Sequence, residues 1–471
     1  MVDLTVSILK RILVAASLVC FTGLLVPSIF KIGESTFQSI VVLSFYVYCV
    51  VSLFVYSRHK LFFVLSLPIF TQFLHIFQKY AFTTGANSLW RLLPYIILNV
   101  YLLHFLAGRH PTDQTKNHLV TVLWFIASVL FLSISPNLEN IIWGGITLYI
   151  FTIPLLFSYL KIACQANDFQ QELDKYLCLL FIILGLGTFG LVYAGASYKG
   201  SDNLLASRNI ADTNVTMAYF ILLWPFALLY SVKNKAALWL KVILMAIFVG
   251  VVTLSFSRGA IFLVLPFILV TSLMASTFID LTLLFAVVIP GYLYRSKIAG
   301  FMNVQDLLYF WQLRFADMGS LNSMLTKLET ISGRTEIHKV AYSLFLQKPL
   351  LGHGIGSFEL LGPGFREAHS LWYTLLAEQG IIGSAFIYSL LATLLFRLVN
   401  LALTIDRKYT ILLISFVCFL LFNHTVGSTF VILPGKSIHV GCIAPLLLMC
   451  TYFYSSNARV QQSVLKPGAD I

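Results

Sequence analysis

The amino-acid sequence predicts an all-α polytopic membrane protein. Hydrophobic residues make up 59% of the chain and charged residues 11%, which is less than half of the charged fraction of roughly 25% in soluble proteins. Apolar runs of about 17–22 residues recur from one end of the chain to the other, and each can cross a hydrocarbon core of about 30 Å. Together these observations predict about 14 transmembrane helices.

The predicted spans are joined by short connections, except for one long gap. In chain order the spans are 11–29, 39–56, 61–77, 90–107, 119–134, 140–160, 176–195, 214–231, 237–255, 259–275, 278–294, 381–398, 409–423 and 438–455. The first span is expected to remain in the chain, because no convincing small-residue cleavage site follows it. The gap, 295–370, is the only plausible subdomain, and it divides an N-terminal transmembrane bundle, 1–294, from C-terminal transmembrane helices, 371–471.

Basic residues orient the predicted bundle. With the N-terminus on the inner side, sixteen Lys and Arg residues fall in the inner segments and seven in the short outer ones, as the positive-inside rule requires. Both termini are therefore expected in the cytoplasm, and the long loop on the outer side. The net charge of +12 is mostly this orientation signal, and no basic helix or aromatic–basic pattern indicates a nucleic-acid partner. No Cys/His spacing resembles a zinc site.

Three arginines on the predicted outer side are candidate anion ligands. Arg258 lies in a tight turn before a helix whose first amides also favour an anion; its alternative roles are snorkelling to the interface and an interhelical ion pair. Arg208 lies in an outer loop, where pairing with Asp212 is the alternative. Arg334 lies in the first turn of a predicted helix, where the helix dipole disfavours a cation.

The long loop carries two further signals after Arg334. An apolar stripe at helical spacing predicts an amphipathic helix that packs on the bundle; its members are Ile337, Val340, Ala341, Leu344 and Phe345. The glycine-rich run from Gly352 to Gly356 follows, and it fits either a nest of amides that binds an anion or a tight turn. His353 within this run is a further candidate contact for a ligand.

His369 is the main candidate for a catalytic base. It precedes a helical stretch that begins at Leu371 and is broken at Gly380, and the whole stretch from Leu371 to Leu398 is too long for one ordinary span. A short re-entrant or interfacial helix followed by the true span is therefore expected. The positive end of the short helix favours a neutral imidazole, which can accept a proton. His424 and Glu378 are the alternative bases.

Arginines that bind in a bidentate manner suit a diphosphate, and a lone base beside them suits activation of a hydroxyl group. The sequence contains no Walker loop, no paired carboxylates of the glycosidase kind and no Asp-rich metal motif. The pattern therefore predicts transfer from a lipid diphosphate, in which arginines stabilise the departing diphosphate and His369 deprotonates a sugar hydroxyl. No cofactor and no metal are expected.

Five short motifs follow one another in a recognisable order. They are Ser257-Arg258-Gly259-Ala260, Ser332-Gly333-Arg334, Pro349-Leu350-Leu351-Gly352-His353-Gly354-Ile355-Gly356-Ser357-Phe358, His369-Ser370-Leu371 and Glu378-Gln379-Gly380-Ile381-Ile382-Gly383. Over roughly residues 200–430 their order and spacing resemble the O-antigen ligase/polymerase superfamily. The chain departs from that family in having Ser370 where Asn is common, and more predicted spans than the ligases have.

The resemblance implies a GT-C-like fold and a metal-independent, inverting glycosyltransferase of the bacterial inner membrane with a periplasmic active site. It implies an undecaprenyl-diphosphate-linked glycan as the donor, His369 as the base, and Arg258, Arg208 and Arg334 as diphosphate contacts. The compact loop and short chain favour a ligase that transfers glycan to a lipid A-core sugar hydroxyl. A polymerase of O-antigen or exopolysaccharide, with a glycan acceptor, and a protein-modifying transferase stay open.

A transporter of lipid-linked glycan is the interpretation from a different class of function. It requires ionisable residues within the spans and internal repeats. The predicted spans contain almost no Asp or Glu, and the sequence shows no repeat. A transferase is therefore preferred.

Overall fold

A computed structural model of the chain describes eleven stretches of it. They are residues 35–55, 59–81, 89–108, 118–193, 213–233, 238–254, 258–275, 334–363, 368–404, 406–425 and 441–465. The described residues form helices and no β-strand. The predicted spans 11–29 and 278–294 lie outside them.

The described helices are numbered here in chain order. They are α1 Ser35–Val50, α2 Lys60–Ala81, α3 Leu89–Ala107, α4 His118–Ser133, α5 Leu138–Ala163, α6 Phe169–Tyr193, α7 Thr213–Lys233, α8 Leu238–Leu254, α9 Arg258–Ala275, α10 Arg334–Gln347, α11 Phe358–Leu361, α12 Leu371–Thr404, α13 Arg407–Thr425 and α14 Ile443–Leu465. A π-helical turn, Val51–Val55, continues α1, and α5 is π-helical over Gly145–Thr152.

Each predicted span that falls within the described residues coincides with a helix. By length and composition, three of these helices can cross a membrane, namely α5, α12 and α13, and several shorter apolar helices accompany them. The all-helical class predicted from the sequence is thus confirmed for the described residues, and a membrane protein is plausible. The number of crossings stays a prediction.

Aromatic side chains fill the centre of the bundle. Trp224 of α7 is fully buried, and its ring centroid lies 5.8 Å from that of Phe181 and 5.3 Å from that of Phe248. Its indole Nε1 donates to the Thr271 hydroxyl of α9 at 2.8 Å, so the polar atom of this buried ring is satisfied. This contact joins α6, α7, α8 and α9 into one packed unit.

Contacts at the helix ends fix the relative directions of α9 and α13. Arg407, at the start of α13, donates to the carbonyl oxygen of Met274, near the end of α9, at 3.5 Å. The two helices pack side by side, so they run antiparallel. The start of α9 at Arg258 and the end of α13 at Thr425 therefore lie at one end of the bundle, which we call the site end.

The start of α7 also lies at the site end. Lys241, in the first turn of α8, donates to the carbonyl oxygen of Ala275, at the end of α9, so α8 and α9 are antiparallel. Only residues 234–237 separate α7 from α8, and helices that are joined so closely and pack together are antiparallel neighbours. Consequently α7 and α9 run in the same direction.

Candidate functional site

Helix α10 packs its apolar stripe onto α12, as the sequence predicts. Ile337, Ala341 and Leu344 are buried and form a small cluster with Phe358 and Ala377. The opposite face of α10 is exposed. The helix thereby fixes the direction in which the polar side chains of its first turns extend.

Helix α12 is broken at Gly380, whose backbone lies in a non-helical region with φ 60° and ψ −160°. The break leaves the amides at the start of the second half without helical acceptors. The loop supplies these acceptors: the Ile381 amide donates to the Pro349 carbonyl oxygen at 2.9 Å, and the Ile382 amide to that of Leu350 at 3.1 Å. The predicted break is thus confirmed, and the loop caps it.

The glycine-rich run caps the other half of the broken helix. The His353 amide donates to the carbonyl oxygen of Ala377 at 3.0 Å, and the Gly354 amide to that of Glu378 at 2.7 Å. We call the paired segments 349–354 and 377–382 the joint. Broken helices in membrane proteins require this kind of replacement for lost backbone hydrogen bonds.

Of the two interpretations of the glycine-rich run, the structure shows the tight turn, and the anion-binding nest is wrong. Such a nest needs amides that point at the ligand. Four successive amides from Gly352 to Ile355 instead donate to protein carbonyl oxygens. The acceptors belong to Lys348, Ala377, Glu378 and Phe131.

Two positions of the joint require glycine, because its two paired segments approach each other closely. Gly352 and Gly380 have φ of 65° and 60°, where L-residues with side chains are strained. A Cβ atom on Gly380 would lie 2.5 Å from the carbonyl carbon of Leu350. A Cβ on Gly352 would lie 2.5 Å from the Gln379 nitrogen, so neither glycine can be replaced without separating the segments.

His369 lies directly before α12 in an uncommon backbone conformation. Its φ is 51°, in the left-handed region that non-glycine residues adopt rarely and often at functional sites. Ser370 begins the helical hydrogen bonding, because its carbonyl oxygen accepts from the Thr374 amide at 3.0 Å. Ala368 on the other side is fully buried. The imidazole is therefore presented by a turn that is anchored on both sides.

His338 of α10 is a site residue that the sequence analysis missed. Its ring stacks on that of Tyr373 with centroids 4.3 Å apart, and it forms a hydrogen bond with the backbone of Ala368. Burial, with the charge of Arg334 and the neighbouring His369, lowers the pKa of His338. Its position one helical turn after Arg334 places both on one face of α10, and this spacing is the signal that could have identified it.

Arg334 connects α10 to the end of α13. Its Nη1 donates to the carbonyl oxygen of Thr425, which is one of the terminal helix carbonyls that favour a cation. The structure therefore brings Arg334, His338 and His369 together at the site end. Arg258 begins α9 at this same end, although its side chain is outside the described part of the chain, and Arg208 lies outside the described residues.

The other candidate histidines are engaged within the protein. His353 is buried, and its Nε2 donates to the carbonyl oxygen of Leu344 at 3.0 Å; burial is the main cause that lowers its pKa. His424 uses both nitrogens: Nδ1 donates to the Leu420 carbonyl oxygen at 2.6 Å, so Nε2 accepts from the Tyr388 hydroxyl at 2.6 Å. Both arrangements favour packing roles over contact with a ligand.

Glu378 faces the loop as well as a cleft. Its Oε1 accepts from the amide of Phe358 at 3.3 Å, at the start of α11. The cleft has a cavity volume of about 60 Å³ and is also lined by Thr374, Gln379 and Trp124. This hydrogen bond attaches the loop to α12. The Glu378 side chain also lines the cleft.

An apolar groove lies next to this cleft. It has a cavity volume of about 220 Å³ between α4, α5, α12 and α14, and Trp124 lines both the groove and the cleft. Its walls are almost entirely hydrocarbon. They include Val120, Ile153, Phe157, Leu390, Leu394 and Leu448.

The described residues contain no group of three or more His, Cys, Asp or Glu side chains that could hold a metal ion. The polar groups collected at the site end are instead a cation and two imidazoles, which suit an anionic ligand and proton transfer. No protein-family model and no curated protein matches the chain. The likeness to the O-antigen ligase/polymerase superfamily therefore rests on the motifs in the sequence.

Proposed function

We propose that the chain is a glycosyltransferase of the bacterial inner membrane, an O-antigen ligase. It takes glycan from an undecaprenyl diphosphate carrier and joins it to a lipid A-core sugar hydroxyl on the periplasmic side. The observation that supports this best is the meeting of His369, His338 and Arg334 at the end of the bundle where Arg258 begins α9. A base and guanidinium groups are what this reaction needs.

In the proposed reaction the acceptor hydroxyl attacks the anomeric carbon of the donor glycan. A new oxygen–carbon bond forms on one face while the bond from that carbon to the diphosphate oxygen breaks on the other, which inverts the configuration. His369 takes the hydroxyl proton, and undecaprenyl diphosphate leaves with the bonding electron pair. The exchange balances, because the glycan passes from the diphosphate oxygen to the acceptor oxygen, the hydroxyl proton passes to His369 and no oxidant is needed.

Charge stabilisation is assigned to the arginines. Arg334 is fixed by α10 and Thr425, and Arg258 and Arg208 complete the diphosphate contacts in this proposal. Guanidinium groups match two phosphate oxygens at once, and preorganised positive charge lowers the barrier where negative charge develops. These residues take the place that a divalent cation has in other transferases.

The membrane arrangement belongs to the same proposal. About 14 crossings in a GT-C-like bundle put both termini in the cytoplasm and the loop 295–370 in the periplasm. The apolar groove beside the cleft offers hydrocarbon surface for the carrier's prenyl chain. The carrier can then remain in the lipid phase while its diphosphate reaches the site end.

The test is transfer by purified protein in excess EDTA. Donor glycan on undecaprenyl diphosphate and purified lipid A-core are supplied, and the rate and the donor affinity are measured. His369→Ala should lower the rate by about 10²–10⁴-fold, as expected for loss of a general base, with donor affinity little changed. His104→Ala is the matched control, because His104 is an exposed histidine in the last turn of α3.

A folded His369→Ala enzyme with a wild-type rate would remove His369 from the mechanism. Loss of wild-type activity in EDTA, restored by magnesium, would contradict the role given to the arginines. In cells, a deletion strain that lacks all long-chain lipopolysaccharide indicates a ligase, whereas lipopolysaccharide with a single repeat unit indicates a polymerase. Movement of intact donor across vesicles without transfer would favour a transporter.

A further inference from the structure

Arg91 is a buried cation at the start of α3. Its side chain is 6% exposed, and the guanidinium atoms Nε and Nη1 are buried without a hydrogen-bond partner among the residues that the structure describes. The ion pair formed within those residues joins Lys339 and Glu336 on α10. Arg91 therefore has no countercharge from the described part of the chain.

This placement is unfavourable for an arginine in the absence of a ligand. A guanidinium group stays charged in proteins, and a buried charge without a partner is destabilising. The first turn of a helix adds to the cost, because its dipole repels a cation. Snorkelling would relieve this cost by placing the guanidinium nitrogens in water. Arg91 does not snorkel in this way, because its Nε and Nη1 are buried.

Arg91 lies at the site end of the bundle. One turn deeper in α3, Tyr95 is hydrogen-bonded to the backbone of Cys442. The hydroxyls of Tyr95 and Tyr219 lie 3.7 Å and 4.0 Å from where a Cβ atom of Gly441 would be. Tyr219 is in the second turn of α7, which starts at the site end, so the start of α3 belongs there too.

The packing of α3 separates Arg91 from the His369 turn. The main neighbours of α3 are α1, α2 and α5, whereas α12 packs mainly on α4, α10, α13 and α14. Arg91 therefore belongs to a different part of the same end of the bundle. It was not among the arginines that the sequence motifs singled out.

We propose that Arg91 binds a phosphate group carried by a lipid. The planar guanidinium presents donors to two oxygens of one phosphate, and the end of an apolar bundle is where the phosphates of a bilayer lie. Two lipids share this chemistry: a polyprenyl diphosphate and an anionic membrane phospholipid. Binding of either kind requires no glycan transfer, so it is measured separately from the proposed reaction.

The experiment compares wild-type protein with Arg91→Met, which keeps an unbranched chain of similar length without the charge. Each is purified in detergent, and thermal unfolding is followed without lipid, with undecaprenyl diphosphate, with phosphatidylglycerol and with uncharged undecaprenol. The control is Arg407→Met, an exposed arginine at the opposite end of the bundle. Native mass spectrometry measures the lipid that each protein retains.

Without lipid, Arg91→Met should be at least as stable as wild type, because the substitution removes a buried charge. It should bind a phosphate-bearing lipid roughly 10–100-fold more weakly than wild type. Stabilisation by undecaprenyl diphosphate alone identifies the carrier, and stabilisation by phosphatidylglycerol identifies a phospholipid. Wild-type affinity of Arg91→Met for both lipids overturns the proposal. A less stable lipid-free Arg91→Met also overturns it, since the protein then supplies the countercharge. If this variant cannot be purified, Arg91→Gln takes its place under the same criteria.

Discussion

At the residue scale, His338 and His369 differ in how well a sequence reveals them. His369 lies just before a helix that begins at Leu371 and is broken at Gly380. Both the helix start and the break can be identified in the sequence. His338 is one polar residue on an amphipathic helix, where a histidine usually packs or is solvated. Its contacts with Ala368 and Tyr373 join segments that are distant in the sequence, so only the fold shows them.

The lowered pKa of His338 leads to a prediction about acid stability. Its ordinary value is 6.5 and the folded value is lower, so the unfolded chain takes up the proton first as the pH falls. The stabilisation is present above about pH 6.5 and is lost below it. We expect the melting temperature to fall less between pH 7.5 and 5 in His338→Phe, which keeps a ring over Tyr373, than in wild type.

The melting temperature is measured across this range in detergent, with His104→Phe as the exposed-histidine control. His353 also has a lowered pKa, so His338→Phe should flatten the pH dependence without abolishing it. An equally steep loss of stability in His338→Phe and wild type would show that His338 does not titrate between the folded and unfolded states. The same variant reports on the anchoring of the His369 turn if its transfer rate also falls.

At the element scale, α12 shows how far local sequence determines structure. The long apolar stretch from Leu371 to Leu398 and its glycine at position 380 predict a broken helix. The partner of the break could not be predicted, because pairing of backbone groups between two segments leaves no pattern of side chains. From the sequence, the glycine-rich run fits an anion-binding nest as well as a tight turn, and only the structure shows that its amides cap Ala377 and Glu378.

Replacing a glycine of the joint should destabilise the loop. We expect Gly380→Ala and Gly352→Ala each to lower stability by about 1–3 kcal/mol from backbone strain alone, and by more because each Cβ would meet backbone atoms at 2.5 Å. Gly108→Ala should be neutral, since the nearest atom would lie 3.7 Å away. Thermal unfolding and limited proteolysis of the loop measure the effect. Near-equal melting of Gly380→Ala and Gly108→Ala would contradict the joint.

At the scale of the whole molecule, sequence and structure supply different parts of the arrangement. The apolar runs predict the helices and their approximate ends, and the distribution of basic residues predicts which end faces the cytoplasm. Contacts such as Arg407 with Met274 show which helix ends lie together. Neither periodicity nor charge could predict which helices are neighbours, because any apolar face can pack on any other.

The predicted sidedness is tested by cysteine accessibility. Single cysteines replace Ser343, exposed on α10, and Thr404, exposed at the end of α12, in a background without native cysteines. With the outer membrane permeabilised, an impermeant maleimide should label position 343 in intact cells and position 404 only after the inner membrane is opened. Shielding of position 343 in intact cells would contradict the predicted outer location of the loop. Labelling of both positions in intact cells would contradict their placement on opposite sides of the membrane.

The joint and the Arg334 contact also determine when the site can be completed during synthesis. The segment 349–354 leaves the ribosome before Ala377 and Ile382, with which it pairs. Arg334 also precedes its partner Thr425 in the order of synthesis. The contact between Arg334 and Thr425 therefore cannot form until α13 has been made, and a chain truncated before Thr425 lacks it.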